Sequence, residues 1–388
     1  MIPRTLEKAA AALLKKYPAI TITGPRQSGK TTLARHLFPK KPYVNLEAPD
    51  IRRFAQEDPR AFFADYADGA ILDEIQRVPE LLSYLQPVLD DSGQNGRFIL
   101  TGSQQFEMMQ HLSQSLAGRT AILRLLPFSL GEIQKSHADF TADDWIYIGF
   151  YPRIHQAGLP PSQAYADYYA SYVERDIRQL INVRNHSLFD RFVRLCAGRA
   201  GQILNLNSLA ADAGITHPTA REWLSLLETS FIVFTLTPFF ANTTKRLTKS
   251  PKLYFYDTGL AAWLCGITEA GQLATHPLRG AFFENLAVLE IQKHNFNHTL
   301  NRRIHYFRDN LCEVDVLWPS QGKFLPVEIK SGQTIATDFS RGTDYFRKNF
   351  HRHCLPESLI VYGGNTSRKT SDGLHYCPLA KLSRSLPG

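Results

Sequence analysis

Long apolar runs are missing from this chain. The longest, such as Phe231 to Leu236, fall far short of the roughly 20 residues a membrane span needs, so no transmembrane segment is expected. The N-terminal MIPRTLEKAAAALLKKYP lacks the unbroken apolar core and cleavage site of a secretion signal, and reads as an amphipathic helix leading into the first strand. Cysteine is scarce. The five present, Cys196, Cys265, Cys312, Cys354 and Cys377, are widely spaced and form no CxxC pair. That argues against a disulfide frame or a structural zinc site, and for a reducing, cytoplasmic setting. With 44% apolar and 21% charged residues the composition is that of an ordinary globular protein, and 388 residues exceed one hydrophobic core and suit two or three domains. A net charge of +8 favours a polyanionic partner such as DNA or RNA, although a bound nucleotide would account for part of it.

The run AITITGPRQSGKTT, Ala19 to Thr32, reads as a strand, a glycine-bounded loop and the first turn of a helix. Gly24 to Thr31 fits GxxxxGK[ST] in the context that motif requires. In such a loop Gly24, Pro25, Arg26, Gln27, Ser28 and Gly29 wrap a triphosphate, the non-proline residues offering backbone N–H groups, while Lys30 reaches its β- and γ-phosphates. The Thr31 hydroxyl ligates Mg²⁺, and Thr32 continues the helix at the same site. An eight-position pattern recurs by chance, so a second match matters. GAILDE, Gly69 to Glu74, supplies it as a short apolar strand ending in two carboxylates. There Asp73 is placed to hold Mg²⁺ through water and Glu74 to polarise the attacking water. After the fourth strand, FILTGSQQ sets Thr101 or Ser103 near the γ-phosphate, either to sense it or to orient water; a strand-ending turn is the plain alternative. Arg119, just before the fifth strand, is a candidate arginine finger or a surface arginine, and a finger acting in trans would require an oligomer.

Strand and helix signals alternate through residues 1–155 as in a parallel α/β domain, with strands at Ala19–Thr23, Tyr43–Leu46, Ala70–Leu72, Arg97–Thr101 and Thr120–Leu125. Residues 156–268 hold a helix from Tyr165 to Leu180, whose aromatic stripe reads as core packing, and a charged cluster at Glu174, Arg175, Asp176 and Arg178. From about 186 to 265 the pattern is that of a winged helix: LNLNSLAADAGI, THPTAREWLSLLETS, and two strands around a basic loop. Its second helix offers His217, Thr219 and Arg221 to DNA, and its wing Lys245, Arg246, Lys249 and Lys252; the alternative is a winged helix that mediates protein contacts only.

Residues 269–388 carry a helix with Glu284, a hairpin with Asp315, a strand with Glu328 and Lys330, then a helix and another strand. Glu328 and Lys330 are two apart and share a strand face. That order matches a PD-(D/E)xK nuclease core, in which Asp315 and Glu328 would hold metal and Lys330 would position or deprotonate water, with Glu284 completing the set. The alternative is a nuclease-like fold whose carboxylates are solvated or paired with Lys330.

Taken together, GPRQSGKTTL, ILDEIQ, LTGSQ, LAGR, LPFSLGE, YVERDIRQL, KSPKLYFYDTGL, FFEN, EVD and VEIKSG occur in order over essentially the whole chain. The chain thus resembles a prokaryotic family of AAA-type P-loop ATPases with a C-terminal winged-helix and nuclease-like region of unassigned function. The resemblance implies an α/β fold, a P-loop NTPase parallel sheet followed by a winged-helix module and a small α/β nuclease-like domain. It also implies ATP and Mg²⁺ binding through Lys30 and Thr31, and hydrolysis with Asp73 and Glu74. The leading expectation is a nucleotide switch linked to nucleic acid. An ATP-gated metal-dependent nuclease and a non-hydrolysing ATP-binding scaffold for a protein partner stay open.

Overall fold

The computed structural model describes residues 2–103, 115–177, 185–240 and 250–387. Internal contacts gather the chain into two bodies: Met1–Phe128 with the short segments Thr229–Phe231 and Phe296–Thr299, and the remainder of Ser129–Gly388.

In the first body the five expected strands form: β1 (Ala19–Thr23), β2 (Tyr43–Asn45), β3 (Ile71–Asp73), β4 (Phe98–Gly102) and β5 (Thr120–Arg124). They lie in the order β2-β3-β4-β1-β5, and all four pairings are parallel. Successive strand side chains point to opposite faces. Ile20, Ile22, Ile71 and Ile99 pack with Leu6 and Ala10 of helix α1 (Leu6–Leu14) and with Leu33 and Ala34 of α2 (Lys30–Leu37). Leu72, Phe98 and Leu100 pack with Phe62, Phe63, Leu82 and Leu85 on the other side. Burial on both faces explains why these strands read as continuous apolar runs. Because β4 separates β1 from β3, the C-terminal ends of all three open side by side on one edge, the edge where parallel sheets bind ligands.

In the second body, the helix Pro161–Tyr168 passes into a π-helical stretch at Tyr169–Ile177 in place of one continuous α-helix. Its aromatic stripe is core, as expected: Tyr165, Tyr168, Tyr169 and Tyr172 are buried, and the Tyr165 hydroxyl donates to Asp257 Oδ1 at 2.6 Å. The side chains of Glu174, Arg175 and Asp176, and all of Arg178, lie outside the described residues. Three helices follow, α3 (His186–Ala197), α4 (Leu206–Ala213) and α5 (His217–Thr229), then an antiparallel ribbon of β6 (Val233–Leu236) and β7 (Lys252–Phe255). The long helix α6 (Arg279–Asn297) precedes a six-stranded sheet. Strands β8 (His305–Arg308), β9 (Glu313–Ser320) and β10 (Lys323–Lys330) form an antiparallel meander. Helix α7 (Arg341–Asn349) then crosses to β11 (Ser358–Tyr362), parallel to β10; β12 (Arg368–Lys369) and β13 (Leu374–Pro378) complete the sheet.

One turn of α6 buries a charge pair. Glu290 and Lys293 are 2% and 1% exposed and 2.9 Å apart, with Glu290 Oε2 accepting from the Leu130 amide and Lys293 Nζ lying 3.6 Å from the Phe150 ring centre. Removing one partner of such a pair leaves an uncompensated buried charge, whereas removing both does not. Lys293→Met is expected to destabilise the second body by about 3–5 kcal/mol, and Glu290→Gln/Lys293→Met by much less. The four tryptophans, Trp145, Trp223, Trp263 and Trp318, all lie in this body. Urea unfolding followed by their fluorescence therefore reads it directly; equal losses in the single and double variants would show that the pair is not coupled.

Candidate active site

The loop from Gly24 to Gly29 joins β1 to α2 and depends on two glycines. At Gly24, φ is +149° and a Cβ would lie 2.1 Å from the Leu125 carbonyl oxygen, so no side chain is tolerated. Left-handed backbone at Gln27 and Gly29 then turns the chain into α2, which opens at Lys30. Lys30 is 5% exposed, and its ammonium donates to the carbonyls of Gly24 (3.1 Å) and Pro25 (2.8 Å). Burial lowers its pKa to about 8, although Glu74 and Asp73 pull the other way. The buried Ser28 hydroxyl has no hydrogen-bond partner among the described residues. An ammonium, an unpartnered hydroxyl and a helix N-terminus converging on one loop suit a phosphate chain.

Asp73, at the end of β3, gathers three hydroxyls. Thr31 Oγ1 donates to both carboxylate oxygens at 3.0 and 3.1 Å, Tyr43 donates to Oδ2 at 2.6 Å, and Thr101 donates to Oδ1. Burial and the Asp73 carboxylate push the Tyr43 phenol above its ordinary range. Thr31 and Asp73 thus sit as a hydroxyl–carboxylate pair of the kind that holds Mg²⁺ with several waters retained. The next residue, Glu74, adopts a left-handed backbone (φ 57°, ψ 46°), a conformation that costs a non-glycine residue about 1–3 kcal/mol. Its amide donates to Thr101 Oγ1 at 3.3 Å, and its carboxylate accepts from Gln76 Nε2 and from Ser103 Oγ at 3.3 Å. Gln76 Nε2 reaches Ser103 Oγ as well, at 3.3 Å.

Lys30, Thr31, Asp73, Glu74, Thr101 and Ser103 therefore share the C-terminal edge of the sheet. Arg26 stands further out and pairs with Glu47 at 3.5 Å, and Thr32 is exposed in the first turn of α2. Arg119 is elsewhere. Its carbonyl accepts from the Ala19 amide at the start of β1, five residues before Gly24, which is about 16 Å at strand rise. Its guanidinium is held by Asp90 at 2.6 and 2.8 Å. An arginine finger from Arg119 to the loop of its own chain is thereby corrected, since the parallel register puts it on the opposite edge. Arg4 was not foreseen: it donates to Ser28 O at 2.8 Å and to Leu126 O at 2.6 Å, and lies over the Phe128 ring. Tyr43 and Gln76 were missed too; Gln76 closes the ILDEIQ landmark without having been given a role, and no local motif marks Arg4 or Tyr43.

In the second body the C-terminal quartet does come together, but around a lysine. Glu284 projects from α6, Glu313 and Asp315 from β9, and Glu328 and Lys330 from β10. Lys252 of β7 is 2% exposed, and its Nζ lies 2.8 Å from Glu284 Oε1 and 3.4 Å from Asp315 Oδ1, and pairs with Glu313. Burial alone would lower the Lys252 pKa; Tyr254, Asp315, Glu284 and Glu313 together hold it well above its ordinary value. Asp315 Oδ2 accepts from the Ile329 amide at 2.8 Å, and Glu328 Oε1 from Lys330 at 2.6 Å. Burial, then the Asp315 charge, raise Glu284 to about 7 and Glu328 to about 8, against the pull of their lysines. As arranged, these residues do not fit a divalent cation: the carboxylates expected as metal ligands are engaged by an ammonium and a backbone amide. Among the described residues no group of three or more His, Cys, Asp and Glu side chains is set to hold a metal. Lys252, expected as a wing contact, is likewise corrected, because it points into the protein. Lys245, Arg246 and Lys249 lie outside the described residues.

Three families match successive stretches: the AAA domain at residues 16–134, a domain of unknown function (DUF8612) at 139–271, and a domain of unknown function (DUF4143) at 279–382. Two relatives are the uncharacterized proteins Rv2008c of Mycobacterium tuberculosis and Mb2031c of Mycobacterium bovis. Each is 32% identical over 382 residues, 96% of this chain and 83% of the relative. The chain belongs to their family. Its N-terminal part is an AAA-type P-loop ATPase domain. Among solved structures, the Walker-type ATPase PABY2304 of Pyrococcus abyssi is 15% identical with a TM-score of 0.47, covering 68% of this chain and 96% of that one.

Because Lys30 loses its proton as pH rises through about 8, the ammonium available to phosphate declines above that value. ATP affinity is expected to fall about tenfold for each pH unit above it. Fluorescent-nucleotide titrations from about pH 7 to 9.5 measure this directly. A flat profile would show that Lys30 keeps its charge throughout.

Proposed function

We propose that this protein is a Mg²⁺-dependent ATP hydrolase that works as a nucleotide switch, with its C-terminal two-thirds responding to the nucleotide and engaging nucleic acid. The observation that carries the reading is the convergence of Lys30, Thr31, Asp73 and Glu74 on one sheet edge, with Glu74 held in a strained backbone beside Ser103 and Gln76. In that arrangement Lys30 exchanges its two loop carbonyls for phosphate oxygens. Thr31 and Asp73 would hold Mg²⁺, which would supply charge neutralisation at the phosphates when bound. Glu74 accepts a proton from the attacking water, and Ser103 and Gln76 orient its carboxylate. Glu74→Gln is expected to lower ATP turnover by about 10²–10⁴-fold while leaving nucleotide affinity within about threefold. Lys30→Ala should lose affinity itself. Equal turnover in wild type and Glu74→Gln, from phosphate-release assays, would falsify the catalytic assignment.

We take residues 1–155, 156–268 and 269–388 as the working divisions. The order of α3, α4, α5 and the β6–β7 ribbon supports a winged-helix reading, with Arg221 exposed on α5 and His217 and Thr219 beside it. The succession of α6, the β8–β10 meander, α7 and β11 supports a nuclease-like fold. Nucleic acid as target rests on these and on the +8 net charge. A labelled duplex should bind with an affinity that drops steeply as salt rises, by counterion release. Fluorescence anisotropy with and without ATP tests this; no binding at low salt to DNA or RNA in either nucleotide state would turn attention to a protein partner or to self-assembly.

A further inference from the structure

We infer that Lys252 is a built-in cation of the C-terminal acidic cluster, standing where a carboxylate set of this kind takes a divalent metal, so that the wild-type cluster neither binds Mg²⁺ nor cleaves phosphodiesters. The inference is independent of the nucleotide site, since every residue in it belongs to the second body.

Glu284, Glu313 and Asp315 reach Lys252 from two different elements, α6 and β9, so the ammonium lies at their common focus. Mg²⁺ requires oxygens at about 2.0–2.1 Å in octahedral array. The ammonium contacts of 2.8 Å to Glu284 and 3.4 Å to Asp315 leave no room for both cations at that focus. Lys252 is also delivered firmly. Asn285 of α6 bonds both backbone groups of Phe255 on the same strand, at 2.7 and 2.9 Å. Tyr254 donates to Glu284 at 2.7 Å, and Tyr306 donates to the Ser250 carbonyl at 2.6 Å. A side chain held at both ends of its strand is part of the architecture.

A second observation is that one carboxylate oxygen of the cluster is not used by any protein group. Glu328 is 6% exposed, and its Oε2 has no hydrogen-bond partner among the described residues. That oxygen lies against the first turn of α7, where a Cβ at Gly342 would come within 2.9 Å of it. Counted together, Glu284, Glu313, Asp315 and Glu328 face Lys252 and Lys330, with Arg308 reaching Glu313 from outside at 3.1 Å. Removing the Lys252 charge while keeping its buried stem would leave a carboxylate-rich cavity with strong demand for a divalent ion.

The test is Mn²⁺ binding by the full chain without nucleotide, followed by electron paramagnetic resonance, for wild type, Asp315→Asn, Lys252→Met and Lys252→Met/Asp315→Asn. Wild type and Asp315→Asn should bind Mn²⁺ alike. Lys252→Met should gain about one additional site of octahedral oxygen ligation, lost again in the double variant. An Asp315-dependent Mn²⁺ site in wild type, or Mn²⁺-dependent cleavage of DNA or RNA by wild type that Asp315→Asn abolishes, would overturn the inference. So would a Lys252→Met protein with wild-type circular dichroism and no added site. Should that variant fail to fold, the comparison of wild type with Asp315→Asn decides alone: identical Mn²⁺ binding supports a lysine-filled cluster, and a difference refutes it.

Discussion

The carboxylate of Asp73 is the point on which the first body turns. A buried charge must be hydrogen-bonded to be tolerable, and here three hydroxyls from three neighbours meet that need: Thr31 from α2, Tyr43 from β2 and Thr101 from β4. Each bond also fixes the element that donates it. The sheet order and the position of the helix after the loop are thereby tied to this one carboxylate. Glu74 gains its own placement one residue later, through a backbone conformation that pays with local strain for a carboxylate aimed along the sheet edge.

The second body solves a like problem with a different counter-group. Hydroxyls leave a carboxylate charged and still able to take a metal; a buried ammonium uses the same charge up. Two acidic sites built from ordinary Asp and Glu residues thus diverge in chemistry because of the third party in each. Near Asp73 it is Thr31 and Thr101, and near Asp315 it is Lys252. Residue types alone do not distinguish the two.

What could be read in the sequence follows from the range of the interactions. Gly24 to Thr31 and Gly69 to Glu74 are local patterns whose geometry is set by neighbouring residues, and all five strands of the first sheet were visible as apolar runs bounded by turns. The aromatic stripe from Tyr165 was legible as core for the same reason. Of the two roles open to Arg119, the surface one fits: in a parallel sheet every strand start lies on the edge opposite the loop, so a residue just before β5 stands away from Gly24. Lys252 looked like one more cation of a basic loop, and only the packing of β7 against α6 and β9 reveals its inward turn. Arg4 could not be found by spacing, since its partners are 24 and 122 residues away.

That arginine has a bearing on how the loop meets its ligand. By clamping the Ser28 and Leu126 carbonyls, Arg4 makes the chain surrender part of the loop's conformational freedom when it folds, before any phosphate arrives. A cradle set in advance loses less entropy on binding.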